Sequence, residues 1–387
     1  MSPPLDWLRA RARFDRNEIS GAFGDIGTDF PLIVAMILTA KLDIPSTLIM
    51  FGVMQVFTGL LYGMPMPAQP LKAMAVIVIA QKLSGNILYG AGLAIGVVML
   101  LLTVTGLIDW LARAVPKVVV RGIQFGLGLQ LAYLALKNYV PADGRWGYVL
   151  AGVAFVITIL LLGNRNIPPA VFVIALGIAY GLIFKFGGAV LPNHGFGLKL
   201  PTFHVPAWPD ILTGFLILAI PQIPLSLGNS ILATRQLAED LFPERHVTIR
   251  KISYTYSTMN LVNPFFSGIP TCHGSGGIVG HHGFGGRTGG SVMIYGSIYL
   301  VLGLFFSAGF GKAINLFPYP ILGVILLFEA IGLIRLVRDT TSVPGDFGIV
   351  ILTGLICFTL PWGYVIGLIV GTALAYLLPS RLSGAAR

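Results

Sequence analysis

Charged residues are scarce in this chain of 387 residues: only 10% are Asp, Glu, Lys or Arg, whereas a soluble domain carries about 25%. Hydrophobic residues make up 55% of the chain, and the mean hydropathy is +0.84. Apolar runs such as 93–107, 149–162 and 349–360 leave little polar sequence for a separate soluble domain. These runs lack the period-two alternation of an outer-membrane barrel. The sequence therefore predicts an all-α polytopic membrane protein.

Other absences narrow the possible chemistry. The two cysteines, Cys272 and Cys357, are far apart in apolar sequence, so no disulfide framework is expected. A dinucleotide fingerprint and a P-loop are both missing, which leaves nucleotide-driven transport unsupported. Cys272 and His273, with His281 and His282, suggest zinc at first sight, but the later pair precedes a glycine-rich turn. We predict no metal, no cofactor and, from the basic N-terminus without an apolar cleavage segment, no signal peptide.

The net charge of +10 follows a membrane pattern. Arg9, Arg11, Arg13 and Arg16 precede the first apolar span, which predicts a cytoplasmic N-terminus. Counting about 14 spans from there places most basic residues in cytoplasmic loops and the C-terminus in the cytoplasm. Twelve spans would give the same orientation, so the number stays open. The distribution of charge thus indicates a multi-pass protein of the cell membrane. Its expected partner is the lipid bilayer, and no nucleic-acid partner is expected.

Two polar interruptions, 62–72 and 268–277, stand out within this apolar sequence. Each holds prolines or glycines and is followed by residues that restart a helix, the third and tenth membrane elements. Pro70 is expected in the first turn of the earlier half-helix. A helix N-terminus at membrane depth presents free N–H groups and attracts anions. The interruptions lie about 200 residues apart, the spacing of a duplicated transporter whose halves share one midplane site. Segments 115–124 and 317–326 resemble each other at the same offset.

Three ionisable residues in membrane elements are candidates for function because charge is costly there. Asp25 and Asp29 lie four residues apart, on one face of the first span. A capping or vestibule role is the alternative for them. Lys72 opens the first half-helix, and snorkelling to an interface is its alternative. The eighth span is expected to be interrupted at 220–230. There Gln222, Ser226, Asn229 and Ser230 provide hydrogen-bonding groups or, alternatively, contacts between helices.

An anion site explains these features together. Each helix N-terminus carries a charge equivalent to about +0.5, and Lys72 adds +1. Together they supply a positive charge of about +2, which balances a dianion. Neutral donors would replace the hydration of a tetrahedral oxyanion. The predicted substrate-binding residues are Thr28, Gln69, Lys72, Gln222, Asn229, Thr271, Cys272, His273, Gly274 and Ser275. Asp25 and Asp29 are the candidates for proton coupling, and His273 is a further one.

Four motifs, at 24–31, 65–72, 228–235 and 270–277, resemble the molybdate-transporter branch of the sulfate-permease superfamily. The resemblance implies seven plus seven spans in inverted repeats. It implies a core domain of spans 1–4 and 8–11, a gate domain of spans 5–7 and 12–14, and an elevator movement of core against gate. The corresponding segments are 14–113 and 208–311 for the core, and 114–207 and 312–387 for the gate. The chain stops at Arg387, so no regulatory STAS domain is expected, and a homodimer stays open.

The resulting prediction is a secondary active transporter, not an enzyme, that imports molybdate or a similar oxyanion with protons. Sulfate and tungstate share the shape and charge of molybdate, so molybdate itself rests on the resemblance. A proton-coupled transporter of uracil or xanthine is the first alternative. Relatives of that kind place acids in spans eight and ten, where this chain has Gln222 and His273. A passive anion channel is the second alternative.

Overall fold

The computed structural model describes residues 7–108, 110, 115–161, 169–185 and 196–377. The predicted core–gate boundary at 113–114 lies outside these residues, as does the tail from 378 to 387 with the predicted cytoplasmic C-terminus. Most of the described chain is helical, as the long apolar runs predict.

The first half begins with a bent helix pair and ends with the helices after the first interruption. Asp43 and Ser84 cap two of its helices by accepting hydrogen bonds from first-turn N–H groups. The helices are α1 (Arg16–Ala22), α2 (Ile26–Ala40), α3 (Ile44–Tyr62), α4 (Lys72–Gln81), α5 (Gly85–Val104), α6 (Lys117–Leu134), α7 (Gly144–Leu161) and α8 (Pro169–Tyr180), with strand β1 (Ala68–Pro70) before α4.

The second half has a corresponding strand before its own short helix. Strand β2 (Thr271–His273) pairs with β1 in antiparallel register. The helices are α9 (Trp208–Leu241), α10 (Ile249–Val262), α11 (Ser275–Gly283), α12 (Gly290–Phe305), α13 (Ser307–Leu316), α14 (Tyr319–Arg335), α15 (Pro344–Thr359) and α16 (Gly363–Leu377).

Among the described residues, five helical stretches are long and apolar enough to cross a membrane: Ile44–Tyr62, Gly85–Val104, Lys117–Leu161, Trp208–Leu241 and Tyr319–Thr340. The pair α1 and α2, bent by 42°, is a sixth candidate, and α4, α12, α15 and α16 are shorter apolar helices. These helices support a multi-pass membrane protein. The count of 14 spans stays a prediction.

The predicted interruption of the eighth span is wrong. Helix α9 runs from Trp208 through Leu241 without a break, although it contains Pro221 and Pro224. A proline removes one backbone donor, and a π-helical turn shifts the bonding pattern so that neighbouring groups find other partners. Two such turns, Phe215–Ala219 and Ser226–Ala233, flank the prolines.

The helices pack into two groups. In the first group, α3 packs along α12, α5 packs along α9 and α10, and the short helices α4 and α11 contact α9. In the second group, α6 packs against α14, α15 and α16, while α7 packs against α14. The first group contains helices of the predicted core segments and the second contains helices of the predicted gate segments. Their role as two moving domains stays a prediction.

The bend between α1 and α2 brings the first span against α11. A Cβ atom at Gly24 would lie 2.4 Å from the backbone oxygen of Gly280, so only glycine permits this approach. The neighbouring Asp25 follows the bend directly, and a Cβ atom at Gly277 would lie 2.4 Å from its carboxylate. The bend therefore places an acidic side chain beside the first turn of α11.

Candidate functional site

A cavity of about 330 Å³, which we call the main cavity, lies between the two helix groups. Its volume is at the small end of the range for ligand pockets, about 300–1,000 Å³. One wall consists of Gln69, Lys72, Gln222, Leu225, Asn229, Ser230, Cys272, Gly274, Ser275 and Gly276. The facing wall consists of Gln124, Leu127, Phe328, Glu329, Gly332, Leu333 and Leu336. The first wall thus contains seven of the residues predicted for substrate binding.

The two short strands hold the polar end of each half-helix in place. In their register Gln69 faces Cys272 and Pro70 faces Thr271. Asn260 bonds Thr271 twice, accepting from its N–H at 3.0 Å and donating to its carbonyl at 2.6 Å. Such side-chain amides satisfy strand edges that have no water to bond within a membrane protein. Pro70 lies in β1, so its predicted place in the first turn of α4 is wrong: the strand pairing extends through it.

Helix α11 begins at the main cavity with open backbone donors. Gly274 is its N-cap and provides no side-chain acceptor. Within the described chain, the N–H groups of Ser275 and Gly276 meet no backbone or side-chain acceptor, and both residues line the cavity. A Cβ atom at Gly276 would meet nothing within 4 Å, so its backbone faces open space. Unsatisfied N–H groups at a helix N-terminus form a site for an anion.

Helix α4 begins at the same cavity, but its first turn is largely satisfied by the protein. The side-chain oxygen of Gln222 accepts from the N–H of Ala73 at 2.9 Å and more weakly from that of Met74 at 3.4 Å. The amide nitrogen of Gln222 donates to Ser226. Gln222 therefore caps α4, and fewer N–H groups of this terminus are available than the sequence predicts.

Lys72 points into the main cavity, as the anion model requires. Its Nζ lies 3.5 Å from Oε2 of Glu329 on the opposite wall. Its side chain is 34% exposed and that of Glu329 is 17% exposed, because both open onto the cavity. The predicted charge of about +2 is therefore too high, since Glu329 offsets the charge of Lys72.

The two aspartates lie behind this wall. Gln69 donates to Oδ2 of Asp25 at 2.5 Å, and Asp25 is buried. Asp29 is completely buried, and among the described residues its two carboxylate oxygens have no hydrogen-bond partner. Neither aspartate lines the cavity, so Gln69 is the link between Asp25 and the cavity surface.

Three more predicted residues lie away from the cavity surface. Thr271 is held by the strand pairing, and Thr28 lies in the first turn of α2 with its N–H bonded to Asp25. His273 donates from Nδ1 to the carbonyl of Pro67 and contacts the hydroxyl of Thr255 with Nε2 at 2.6 Å. Both ring nitrogens of His273 are thus occupied by the protein. The site residues as a set stay a prediction.

The two polar residues of the facing wall are absent from the sequence prediction. Glu329 is the acid within α14, and an ionisable residue in an apolar span is itself a signal of function. That rule applies to Glu329 as it does to the aspartates. Gln124 lies within α6, and a neutral amide in an apolar helix gives no comparable signal. Only the packing of α6 and α14 against the first group shows that both side chains face Lys72.

Sequence comparison places the chain among known transporters. The family model described as molybdate transporter of MFS superfamily matches residues 17–131 and 214–333. The chain is 35% identical to molybdate transporter 2 of Arabidopsis thaliana, over 88% of this chain and 83% of that protein. It is 32% identical to molybdate transporter 1 of the same plant, over 96% of this chain and 90% of that protein. The chain belongs to the molybdate transporter family. The predicted family is confirmed, and its curated members are transporters, which fits a non-enzyme role.

Solved structures show the fold of this family member. The transmembrane domain of a cyanobacterial bicarbonate transporter, BicA, has a TM-score of 0.68 and 17% identity, covering 94% of this chain and 98% of that one. Murine solute carrier 26 family member A9, an anion transporter in the inward-facing state, has a TM-score of 0.72 and 14% identity, covering 97% and 70%. At these identities the likeness shows the fold alone. The sequence matches to molybdate transporters support anion transport.

Proposed function

We propose that this protein is a secondary active transporter that imports molybdate or a similar tetrahedral oxyanion such as sulfate or tungstate. The observation that carries the proposal is the first turn of α11, whose open N–H groups at Ser275 and Gly276 share one cavity with Lys72. Backbone donors and one ammonium group bind a dianion without the tight grip of an arginine cluster. Release on the other side of the membrane requires such moderate binding.

Binding proceeds by exchange of one anion for another at Lys72. The carboxylate of Glu329 contacts Nζ of Lys72 in this structure, and an oxyanion takes its place. The oxyanion then bridges Lys72 and the first turn of α11. The released carboxylate stays beside a dianion, which repels it strongly at a low effective permittivity.

Charge balance at the site favours proton coupling. Lys72 contributes +1 and the two helix N-termini about +1 together, whereas Glu329, Asp25 and Asp29 contribute −3 when all are ionised. A bound dianion would add two more negative charges to a site that is already net negative. Protons that bind to these carboxylates as the oxyanion enters remove the repulsion, and they move with it. Glu329 joins Asp25 and Asp29 as a candidate for this role because it lies in the cavity itself.

Alternating access follows from the position of the cavity between two helix groups. The first group contributes the anion donors, and the second contributes the wall with Glu329. The cavity extends along α14 to Leu336, next to Arg335 and Arg338, which the positive-inside rule places in the cytoplasm. We propose that this conformation faces inward and that the first group moves as an elevator against the second.

Uptake by the purified full chain in liposomes tests this function. Labelled molybdate is expected to enter with saturable kinetics and to accumulate when the pH gradient is directed inward. Excess sulfate and tungstate measure selectivity among tetrahedral oxyanions. Uracil or xanthine uptake without molybdate uptake would favour a nucleobase transporter. Linear flux that is indifferent to pH would favour a passive channel.

A further inference from the structure

The side chain of Gln124 has an unexplained polar group at the main cavity. Gln124 lies on α6, in the second helix group, and is completely buried. Its Oε1 accepts a hydrogen bond from Nη1 of Arg121 at 2.9 Å. Among the described residues, its Nε2 has no hydrogen-bond partner. A buried amide donor without an acceptor costs about 1–3 kcal/mol, so such a group calls for a partner.

The orientation of this amide follows from chemistry. A guanidinium group has donors and no acceptor, so the oxygen of Gln124 must face Arg121 and the NH₂ group must point away from it. Arg121 is itself held by Asp339 through three hydrogen bonds, from Nε to Oδ1 at 3.1 Å and to Oδ2 at 3.2 Å, and from Nη2 to Oδ2 at 2.7 Å. Lys117 contacts the same carboxylate at 2.7 Å. The support of Gln124 is therefore a charged network that fixes its donor.

The other two glutamines at the cavity differ from Gln124. The amide nitrogen of Gln69 donates to Asp25, and that of Gln222 donates to Ser226. Both serve to position elements of the first helix group. Among the three, Gln124 alone has an unpaired amide nitrogen, which is buried, and the residue lines the cavity on the wall opposite Lys72 and Gly276.

We propose that Nε2 of Gln124 donates a hydrogen bond to the bound oxyanion. The substrate is then held from both helix groups, by Lys72 and the first turn of α11 on one side and by Gln124 on the other. A tetrahedral oxyanion has oxygens that point in several directions and suits donors on opposite walls. The inference rests on the proposed function and adds a binding residue in the second helix group.

Calorimetric titration of the purified full chain with molybdate tests this role. Gln124→Met keeps the side-chain length and removes the donor, and we expect about a tenfold to a hundredfold loss of affinity, as for a hydrogen bond to a charged group. Gln130→Met is the matched control on α6. Gln130 accepts from the hydroxyl of Tyr364 and lines a different cavity, so its substitution should change molybdate affinity less than twofold.

Gln124→Glu separates binding from a merely structural role. A carboxylate keeps the contact with Arg121 and even strengthens it, while it replaces the donor with a negative charge. If Gln124 only anchors Arg121, Gln124→Glu restores that anchor and will bind molybdate no more weakly than Gln124→Met, and the inference is refuted. If Gln124 donates to the substrate, Gln124→Glu will lose more affinity than Gln124→Met. Thermal unfolding identifies any variant that fails to fold.

Binding by the parent protein separates the role of Gln124 from the proposed function. Molybdate binding by the parent together with unchanged affinity in folded Gln124→Met overturns the role of Gln124 and leaves the proposed function standing. No binding of molybdate, sulfate or tungstate by the folded parent overturns the proposed function and this inference with it.

Discussion

Replacing Lys72 with methionine removes the positive side chain from the main cavity while nearly keeping its length. At the observed 3.5 Å and an effective permittivity of about 20, a pair of unit charges interacts by about 5 kcal/mol. Lys72 is one-third exposed to the cavity, and solvent screening reduces this to about 2 kcal/mol. A dianion doubles the interaction to about 4 kcal/mol, but displacing Glu329 from Lys72 offsets part of this gain, so we expect a loss of molybdate affinity of about a hundredfold.

The single variant has a second effect that must be separated from the first. Without Lys72 the carboxylate of Glu329 is left without its partner, and losing this partly exposed pair costs up to about 2 kcal/mol of stability. The double variant Lys72→Met with Glu329→Gln removes both charges and is expected to unfold at nearly the parent temperature. It should still bind molybdate about a hundredfold or more weakly than the parent, because the lysine is absent.

Titration calorimetry and thermal unfolding of the parent and both variants provide the measurement. Lys82→Met is the matched control, since Lys82 follows the last residue of α4, at the end opposite Lys72, and is exposed. It should leave the affinity unchanged. A folded double variant that binds molybdate within threefold of the parent would refute the electrostatic role of Lys72.

Three further predictions concern the same cavity. Gly276→Ala adds a methyl group to open space at the first turn of α11 and is expected to reduce molybdate uptake at least tenfold. The control Gly283→Ala, on the same helix and equally free of neighbours, should leave uptake unchanged. Equal uptake by both variants would contradict the placement of substrate at this turn. In a Cys357→Ser background, saturating molybdate should slow the reaction of Cys272 with a small thiol reagent severalfold, and an unchanged rate would argue against substrate at the cavity. Glu329→Gln removes a competitor for Lys72, so it should bind molybdate about tenfold more tightly. Weaker binding by folded Glu329→Gln would count against the exchange model.

Much of the fold follows from local sequence signals. Scarce charge and long apolar runs predict membrane helices, and Pro65 and Pro67 predict the irregular backbone before α4. These signals are local because a proline or an apolar run acts on its own segment. The same rule fails at Pro221 and Pro224, where π-helical turns on either side keep α9 continuous. A sequence pattern does not show whether neighbouring turns will absorb a missing donor.

About half of the cavity wall could be predicted from local motifs. Gln69, Lys72, Cys272 and Ser275 belong to the two interruptions, and their motifs alone indicate a polar site. Glu329 carries a signal of its own, as an acid in an apolar span, yet nothing local connects it to Lys72, which is 257 positions away. The pairing depends on how two helix groups face each other.

The sequence by itself determined that this protein is a helical membrane protein of a transporter family, with two broken elements that each present a helix N-terminus. It did so because hydropathy, proline and glycine act within a few residues of their own position. The tertiary structure alone decided which donors remain open: Gln222 caps the first turn of α4, the N–H groups of Ser275 and Gly276 meet no acceptor in the described part of the chain, and Glu329 offsets the charge of Lys72 from the opposite wall. Those outcomes depend on contacts between segments distant in the chain, and a hydrogen bond or an ion pair has no trace in either partner's local sequence.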